Sequence, residues 1–183
     1  MNTEMTELQK AFVTLRGFKE TDCNQLAKLC NNRKIWDNLR DFIPSPYSEQ
    51  NAVDFIKICR LENPQVTFAI HYNEELAGCI GLVLQSDIYR LSAEIGYWIG
   101  EPFWGLGIAT TAVELLTEYG FEQLKLIRIY SGVFEYNLAS QRVLEKAGYK
   151  KEGVFEKSII KNGVICNEYR YAKIVGESLA VGY

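Results

Sequence analysis

The chain has a single histidine, His71, and that scarcity excludes a good deal. A Ser-His-Asp hydrolase would have to build its triad on a residue inside the strand-like "TFAIHY", where a structural role is the simpler reading. Metal centres need closely spaced Cys or His ligands. The five cysteines (Cys23, Cys30, Cys59, Cys79, Cys166) contain no C-x-x-C pair, so no metal is expected. Cys23 and Cys30 share a helix face, but two thiols without imidazole partners do not make a zinc site. An odd, dispersed set in apolar company reads as reduced, buried thiols, the usage of a cytoplasmic protein. A basic excess is absent too. Lys and Arg number 20 against 23 Asp and Glu, a net charge of −3 without any basic stripe, which argues against a nucleic-acid partner. No apolar run approaches the ~18 residues of a membrane span. The polar, acidic "MNTEMTELQKAF" lacks the apolar core of a secretory signal, so neither membrane nor export is expected. No repeat, low-complexity tract or linker divides the chain. Residues 1–183 are therefore expected to form one domain, with a loose tail over 176–183.

What is present has a clear rhythm. "FVTLRGF" (12–18) reads as a first strand. "ETDCNQLAKLC" then shows helical apolar spacing, with Thr21 or Asp22 as possible N-caps. Two prolines in "IPSPYS" (43–48) rigidify a connection before a second helix begins at "SEQNAVDFIKICRLE". After "ENP" the period shortens: "QVTFAIHY" and "ELAGCIGLVLQ" read as a hairpin turning at "NEE", and "AEIGYWIG" as a third strand. A helix over 107–121, strand "LIRIYSGVF" and helix 138–147, stopped by Gly148, come next. "YKKEGVFEKSII" and "CNEYRYAKIV" close the chain as two strands around "KNG". The order β-α-α-β-β-β-α-β-α-β-β predicts an α/β fold, a mixed sheet with helices on its faces.

The most informative stretch is "EPFWGLGIATTAVELL" (101–116), where Gly105 and Gly107 run straight into a helix. The first amides of a helix lack internal partners and carry the positive end of its dipole. Glycines let an anion approach those amides with no Cβ in the way. "WGLGIAT" is thus a candidate pyrophosphate cradle built from the N–H groups of residues 104–109. A P-loop is excluded, because Ile108-Ala109 stands where Lys-Ser/Thr is needed. A dinucleotide fingerprint is a poor match, with Thr110 in place of the last glycine and the loop in mid-chain. A plain turn that packs a helix near a strand is the remaining alternative.

"AEIGYWIGEPFWGLGIA" (93–109), followed by "NLASQRVLEKAGYKKEG" (137–153), closely resembles the GNAT N-acetyltransferases and, within them, the RimJ/RimL branch. The resemblance extends to "LRDFIPSPYSEQNAVDFI" (39–56), which looks like that branch's substrate-side helix pair. Of the superfamily's loop pattern Gln/Arg-x-x-Gly-x-Gly/Ala, Gly107 and Ala109 match, while Trp104 stands first; that change removes a side chain and keeps the amides. The resemblance implies a GNAT-like fold, with a mostly antiparallel sheet, a splayed parallel pair and helices on both faces. It implies acetyl-CoA as co-substrate and an amine as acceptor: a protein N-terminal α-amine, or a polyamine, aminoglycoside or aminoacyl nucleotide. A non-catalytic acyl-CoA sensor is the rival reading. Nothing in the sequence decides between a monomer and a homodimer.

The same resemblance assigns roles. Residues 104–110 (Trp104, Gly105, Leu106, Gly107, Ile108, Ala109, Thr110) are expected to hold the CoA phosphates, and Tyr97, Trp98 and Ile99 to pair their backbone with the pantetheine amides. An oxyanion donor is expected near Trp98 or Ile99. Glu94, at the start of that strand, is the candidate base that removes a proton from the amine; its bland alternative is an edge-of-sheet carboxylate, and Glu101 and Glu156 are lesser candidates. Asn137 and Ser140 match the branch's N-x-x-S. Ser140 is the candidate proton source for the departing thiolate, and Asn137 is either a CoA contact or a helix cap. The Tyr that many members place in "L-Y-E-K-x-G-F" is Leu144 here. Trp36 and Tyr47, with Asp37, Asp41 and Glu49, fall in the acceptor segment, where an aromatic face and carboxylates suit a cationic amine.

Overall fold

A computed structural model describes residues 6–176. Eight strands form one sheet: β1 (Leu8–Lys10), β2 (Val13–Arg16), β3 (Thr67–Tyr72), β4 (Glu75–Leu84), β5 (Ser92–Ile99), β6 (Arg128–Phe134), β7 (Lys150–Lys161) and β8 (Val164–Ile174). Their spatial order is β1-β2-β3-β4-β5-β6-β8-β7. Every neighbouring pair is antiparallel except β5 and β6. Helices α1 (Cys23–Cys30), α2 (Arg33–Trp36) and α3 (Glu49–Cys59) lie between β2 and β3 in sequence, α4 (Ile108–Glu122) between β5 and β6, and α5 (Leu138–Lys146) between β6 and β7. This is the mixed α/β architecture that the alternation of periods predicts. The expected tail over 176–183 lies outside the described residues apart from Gly176.

Two elements differ from the sequence reading. The first strand is preceded by a three-residue partner, β1, joined through Ala11 at φ 53. Three mostly exposed residues give no alternation to detect, and an alanine in left-handed conformation gives no turn signal. The single turn α2, N-capped by Asn32, is likewise too short to show a period. Asp22 does stand at the start of α1, but its carboxylate is used elsewhere. It takes two hydrogen bonds of 2.9 Å from Arg16 and one of 2.8 Å from the Lys19 amide. Both hairpin turns fall where expected, with left-handed Asn73 and Glu74 in one and Asn162 and Gly163 in the other.

The sheet carries a core on each face. On one, α4 and α5 cover Leu15, Phe68, Ile80, Ile95 and Ile129, together with Leu116 and Leu144 from the helices themselves. On the other, α1 and α3 cover a smaller cluster that contains Cys30, Tyr47, Ala52, Ile56, Cys59 and Cys79. Burial pushes the Cys30 and Cys59 thiols up to about 12, so both remain protonated at neutral pH. No helix among the described residues is long and apolar enough to cross a membrane.

Candidate active site

The parallel pair β5/β6 is in register only at Ser92, Ala93 and Glu94, opposite Arg128, Ile129 and Tyr130. Beyond Glu94 the strands part, and the Ser131 hydroxyl reaches the Ile95 carbonyl at 3.0 Å where the gap begins. Strand alternation settles what β5 shows to that gap. Ser92 and Gly100 are hydrogen-bonded on the β4 side, Ser92 C=O to the N–H of Gln85, just past the end of β4, and Gly100 N–H to the C=O of Ala77 in β4. Even-numbered residues therefore direct their backbone at β4, and odd-numbered ones at the gap. Tyr97 and Ile99 accordingly present amides to the gap, whereas the Trp98 amide belongs to the β4/β5 ladder and its side chain packs on the second core. This corrects the expectation that all of 97–99 face the cleft. An amide aimed into the cleft on this stretch comes from Ile99 or Tyr97, not from Trp98.

The glycine loop follows at once. Gly105 (φ 79) and Gly107 (φ 77) are both left-handed, and a Cβ on either would meet nothing within 4 Å. These two positions need glycine for the backbone path and keep the surface above it open. Gly107 N-caps α4 without a side chain. The amide of Trp104 is bonded to Glu101 and that of Thr111 to Gly107. Between them, the amides of residues 105–110 have no acceptor among the described residues. Trp104 also ties the loop to the strand end, its indole N–H donating to the Ile99 carbonyl at 2.7 Å. A run of unpartnered amides on an open, Cβ-free surface at a helix N-terminus fits a diphosphate.

Across the gap stands the N-terminus of α5. Asn137 caps it, its side-chain oxygen accepting from the Ser140 amide at 3.0 Å. The Ser140 hydroxyl lies 2.9 Å from the Tyr97 phenol, which crosses to it from β5. Leu144, one turn later, is 0% exposed inside the main core. Tyr149 is also in that core, bonded to Thr117 at 2.6 Å.

On the opposite face of the sheet, Glu94 is 18% exposed and paired with Arg40, from the segment that follows α2. The alternatives Glu101 and Glu156 are placed otherwise: Glu101 is held by Lys34 and Asn32, and Glu156 is exposed on the edge strand β7. A second carboxylate shares the Glu94 face and has no motif to announce it. A Cβ on Gly132 would come within 2.6 Å of the Glu168 carboxylate, so this acid lies over β6 because position 132 has no side chain. Arg170 pairs with it at 2.6 Å and covers the Tyr130 ring at 4.8 Å. Only the β6/β8 register, Gly132 opposite Arg170, brings these residues together, which is why sequence reasoning missed Glu168.

The acceptor segment is rearranged relative to expectation. Tyr47 is 9% exposed and packs in the second core, so its ring is a structural element rather than a face offered to an amine. Trp36 is in reach of the surface, but the chain's own cations lie over its ring, Lys161 at 3.3 Å and Arg33 at 4.7 Å from the centroid. Its indole N–H donates to the Ile43 carbonyl at 2.8 Å. Asp37 is held below the usual carboxylate range by the Asn162 amide and the Arg33 guanidinium. Asp41 is bound to Lys161 at 2.6 Å. Lys161 also donates to the Leu39 carbonyl at 2.9 Å, and Tyr136 to the Asp37 carbonyl at 2.7 Å. Residues 33–43 thus form a strap from the N-terminal half of the sheet to the β7–β8 turn and the β6–α5 loop. Glu49 lies apart from it, in the exposed first turn of α3.

The geometry defines a class first: an α/β protein whose sheet opens at a parallel pair, with one helix N-terminus aimed at the opening and another beside it. Residues 13–150 match the model of the acetyltransferase (GNAT) domain, and the chain belongs to that family. The probable N-acetyltransferase YjcK of Bacillus subtilis is 51% identical over 88 residues, covering 46% of this chain and 49% of that protein. That match spans about half of each chain. The spermidine N(1)-acetyltransferase of Escherichia coli K12 is 27% identical over 86% of this chain and 83% of its own. Among solved structures, RimL, a ribosomal L7/L12 alpha-N-protein acetyltransferase in complex with coenzyme A, superposes with a TM-score of 0.80. The alignment has 21% identity and covers 92% of this chain and 98% of RimL, which shows a common fold.

Proposed function

We propose that this protein is an acetyl-CoA-dependent N-acetyltransferase that acts on a primary amine, by direct attack of the amine on the thioester. The observation that carries this reading is the run of unpartnered amides over 105–110, on an open glycine surface, at the end of the strand whose odd-numbered amides face the gap. A diphosphate answers the first feature and an extended amide chain the second, and acetyl-CoA carries both. Gly105, Leu106, Gly107, Ile108, Ala109 and Thr110 hold the phosphates through main-chain N–H groups, while Trp104, whose own amide is spent on the Glu101 carbonyl, ties the loop to β5 through its indole. Tyr97 and Ile99 bind the pantetheine arm in the manner of an added strand. Of these, the Tyr97 N–H, the one farther from the phosphate loop, meets the oxyanion while its carbonyl stays free to pair with the arm, a contribution of roughly 2.7–4 kcal/mol for a fixed donor in a dry cleft.

Glu94 is the base. An alkyl amine arrives mostly protonated, and Glu94, accessible yet anchored by Arg40, takes its proton directly or through water. Glu168 on the same face adds negative charge that favours a cationic acceptor. Ser140 hydrogen-bonds the sulfur as the C–S bond breaks, with Asn137 fixing the backbone of that turn. The acceptor is a peptide α-amine, supported by the likeness to RimL; the relative that acetylates spermidine makes polyamines the class to test beside it. Shared use of one sheet by both cores supports a single domain, and protonated, buried thiols fit the cytoplasm. The test is release of free CoA from acetyl-CoA against a panel of peptides, polyamines, aminoglycosides and aminoacyl nucleotides. Release with one class confirms the transfer and names the acceptor. Binding of acetyl-CoA without release across the panel would favour the sensor reading instead.

A further inference from the structure

Two tyrosine phenols in this protein each rest on a hydroxyl side chain of a helix, and the two pairs end differently. Tyr149 meets Thr117 at 2.6 Å, and the Thr117 hydroxyl passes its hydrogen to the Val113 carbonyl at 2.6 Å. That chain is closed inside the core. The Tyr97 phenol lies 2.9 Å from the Ser140 hydroxyl, where either oxygen can donate, and 3.3 Å from the Ser140 carbonyl, a longer alternative acceptor for the same phenol hydrogen; the Ser140 hydroxyl has no other acceptor among the described residues. A serine hydroxyl has one hydrogen and two lone pairs. When the Tyr97 phenol fills one lone pair, the serine hydrogen is left for a third atom, and donation into the hydroxyl strengthens its own donation. The surroundings hold this arrangement. Burial keeps Tyr97 protonated, so it has a hydrogen to give. The Asn137 cap pins the Ser140 backbone, and the phenol crosses from β5 to α5 beyond the point where β5 and β6 part.

We propose that Tyr97 is a positioning residue for Ser140: its phenol donates to the serine oxygen and turns the serine hydrogen toward the leaving sulfur. This rests on the function proposed above. In the reaction the amine nitrogen bonds to the carbonyl carbon, the C–S bond breaks with its electron pair on sulfur, and the proton shed by nitrogen ends on that sulfur. Ser140 gives a hydrogen bond to the sulfur while it carries charge, and Tyr97 neither gains nor loses a proton overall.

The experiment is a double-mutant cycle read by CoA release, with Tyr97→Phe, Ser140→Ala and the double variant, and Tyr149→Phe as a control for loss of a phenol. Tyr97→Phe keeps the ring in the core. It is expected to lower kcat roughly tenfold, the scale of one lost hydrogen bond, with acetyl-CoA Kd within about twofold of the parent. The double variant should be no slower than Ser140→Ala alone, and Tyr149→Phe should retain the parental kcat whatever it does to Tm. Additive losses in the double variant, or a parental rate for Tyr97→Phe beside a slow Ser140→Ala, overturn the inference and leave the transferase reading standing. A parental rate for Ser140→Ala overturns the role of Ser140 itself, and with it that of Tyr97.

Discussion

The two ends of the cleft are built from different materials. At the glycine loop the groups proposed to bind are main-chain amides, residues 105–110, and its two left-handed glycines leave the surface open. At the acceptor end everything is side chain. Arg40 is matched with Glu94 and Lys161 with Asp41 and the Trp36 ring, pairs that join residues far apart in sequence, while Arg170 and Glu168 are neighbours on β8 brought over β6 by the sheet register. The first end depends on its glycines, on the Trp104 tie to Ile99 and on the buried Ile108 rather than on side chains that would meet a ligand. The second depends on particular partners, so its chemistry can be retuned for one amine or another while the fold stands.

Substitutions at each end should therefore differ in kind. The largest effect is expected from Gly107→Glu. It forces a side chain onto a backbone at φ 77 and sets a carboxylate against the phosphates, so acetyl-CoA Kd in a calorimetric titration should rise at least roughly a hundredfold, about 2.7 kcal/mol. Parental affinity would mean the loop is only a turn.

Next is Glu94→Gln, where the pH–rate profile is the readout. Loss of a general base costs roughly 10²–10⁴ in rate, and the loss should be greatest at low pH, where more of the amine is protonated. Acetyl-CoA affinity should be unmoved. Glu168→Gln sharpens the contrast: as a charge that favours a cation, it should raise KM for the amine and leave the shape of the profile intact. If the two variants exchange behaviours, Glu168 is the base.

Lys161→Met probes the strap. Its side chain is only 3% exposed, and removing the ammonium strips a donor from the Leu39 carbonyl and a cation from the Trp36 ring. About 1–3 kcal/mol of stability should be lost in a urea titration, with a severalfold rise in amine KM and no change in acetyl-CoA Kd. A shift in acetyl-CoA Kd would show that the two ends are not separable.

The smallest effect lies away from the cleft. His71 is buried, its Nδ1 bonded to the Glu74 carbonyl and its Nε2 without a partner among the described residues, with Arg16, Asp22 and Lys19 nearby. Burial lowers its pKa from the ordinary 6.5. Unfolding therefore takes up a proton at mildly acidic pH. The contribution of His71 is fully present above pH 6.5 and is lost as pH falls toward the folded value. Stability against pH, compared with His71→Gln, should show a shallower acid decline in the variant. Parallel curves would assign the decline to other groups.

The contrast between the ends also decides what could be read from the chain. The glycine loop was legible because a requirement on the backbone is written in the residues that meet it: Gly105 and Gly107 stand next to the helix they serve. Strand and helix periods located the sheet for the same local reason, and Gly148 and the two Asn-containing turns marked their stops. Even the opening of β5 from β6 came only from resemblance, since no local pattern encodes where a parallel pair ends. The acceptor end was read poorly. Tyr47 looked like a surface aromatic until the second core closed over it, and Trp36 looked free until Lys161, 125 positions later, came to rest on its ring. Glu168 was invisible because its place over β6 depends on the missing side chain of Gly132 in another strand.

The central claim is that the amides of residues 105–110 hold a CoA diphosphate. Backbone-amide NMR of the ¹⁵N-labelled protein, titrated with CoA, reads those groups one by one. The account predicts that the 105–110 resonances shift together, with Tyr97 and Ile99 following, while those of the strap at 33–43 change little. Unmoved 105–110 resonances at saturating CoA would contradict it.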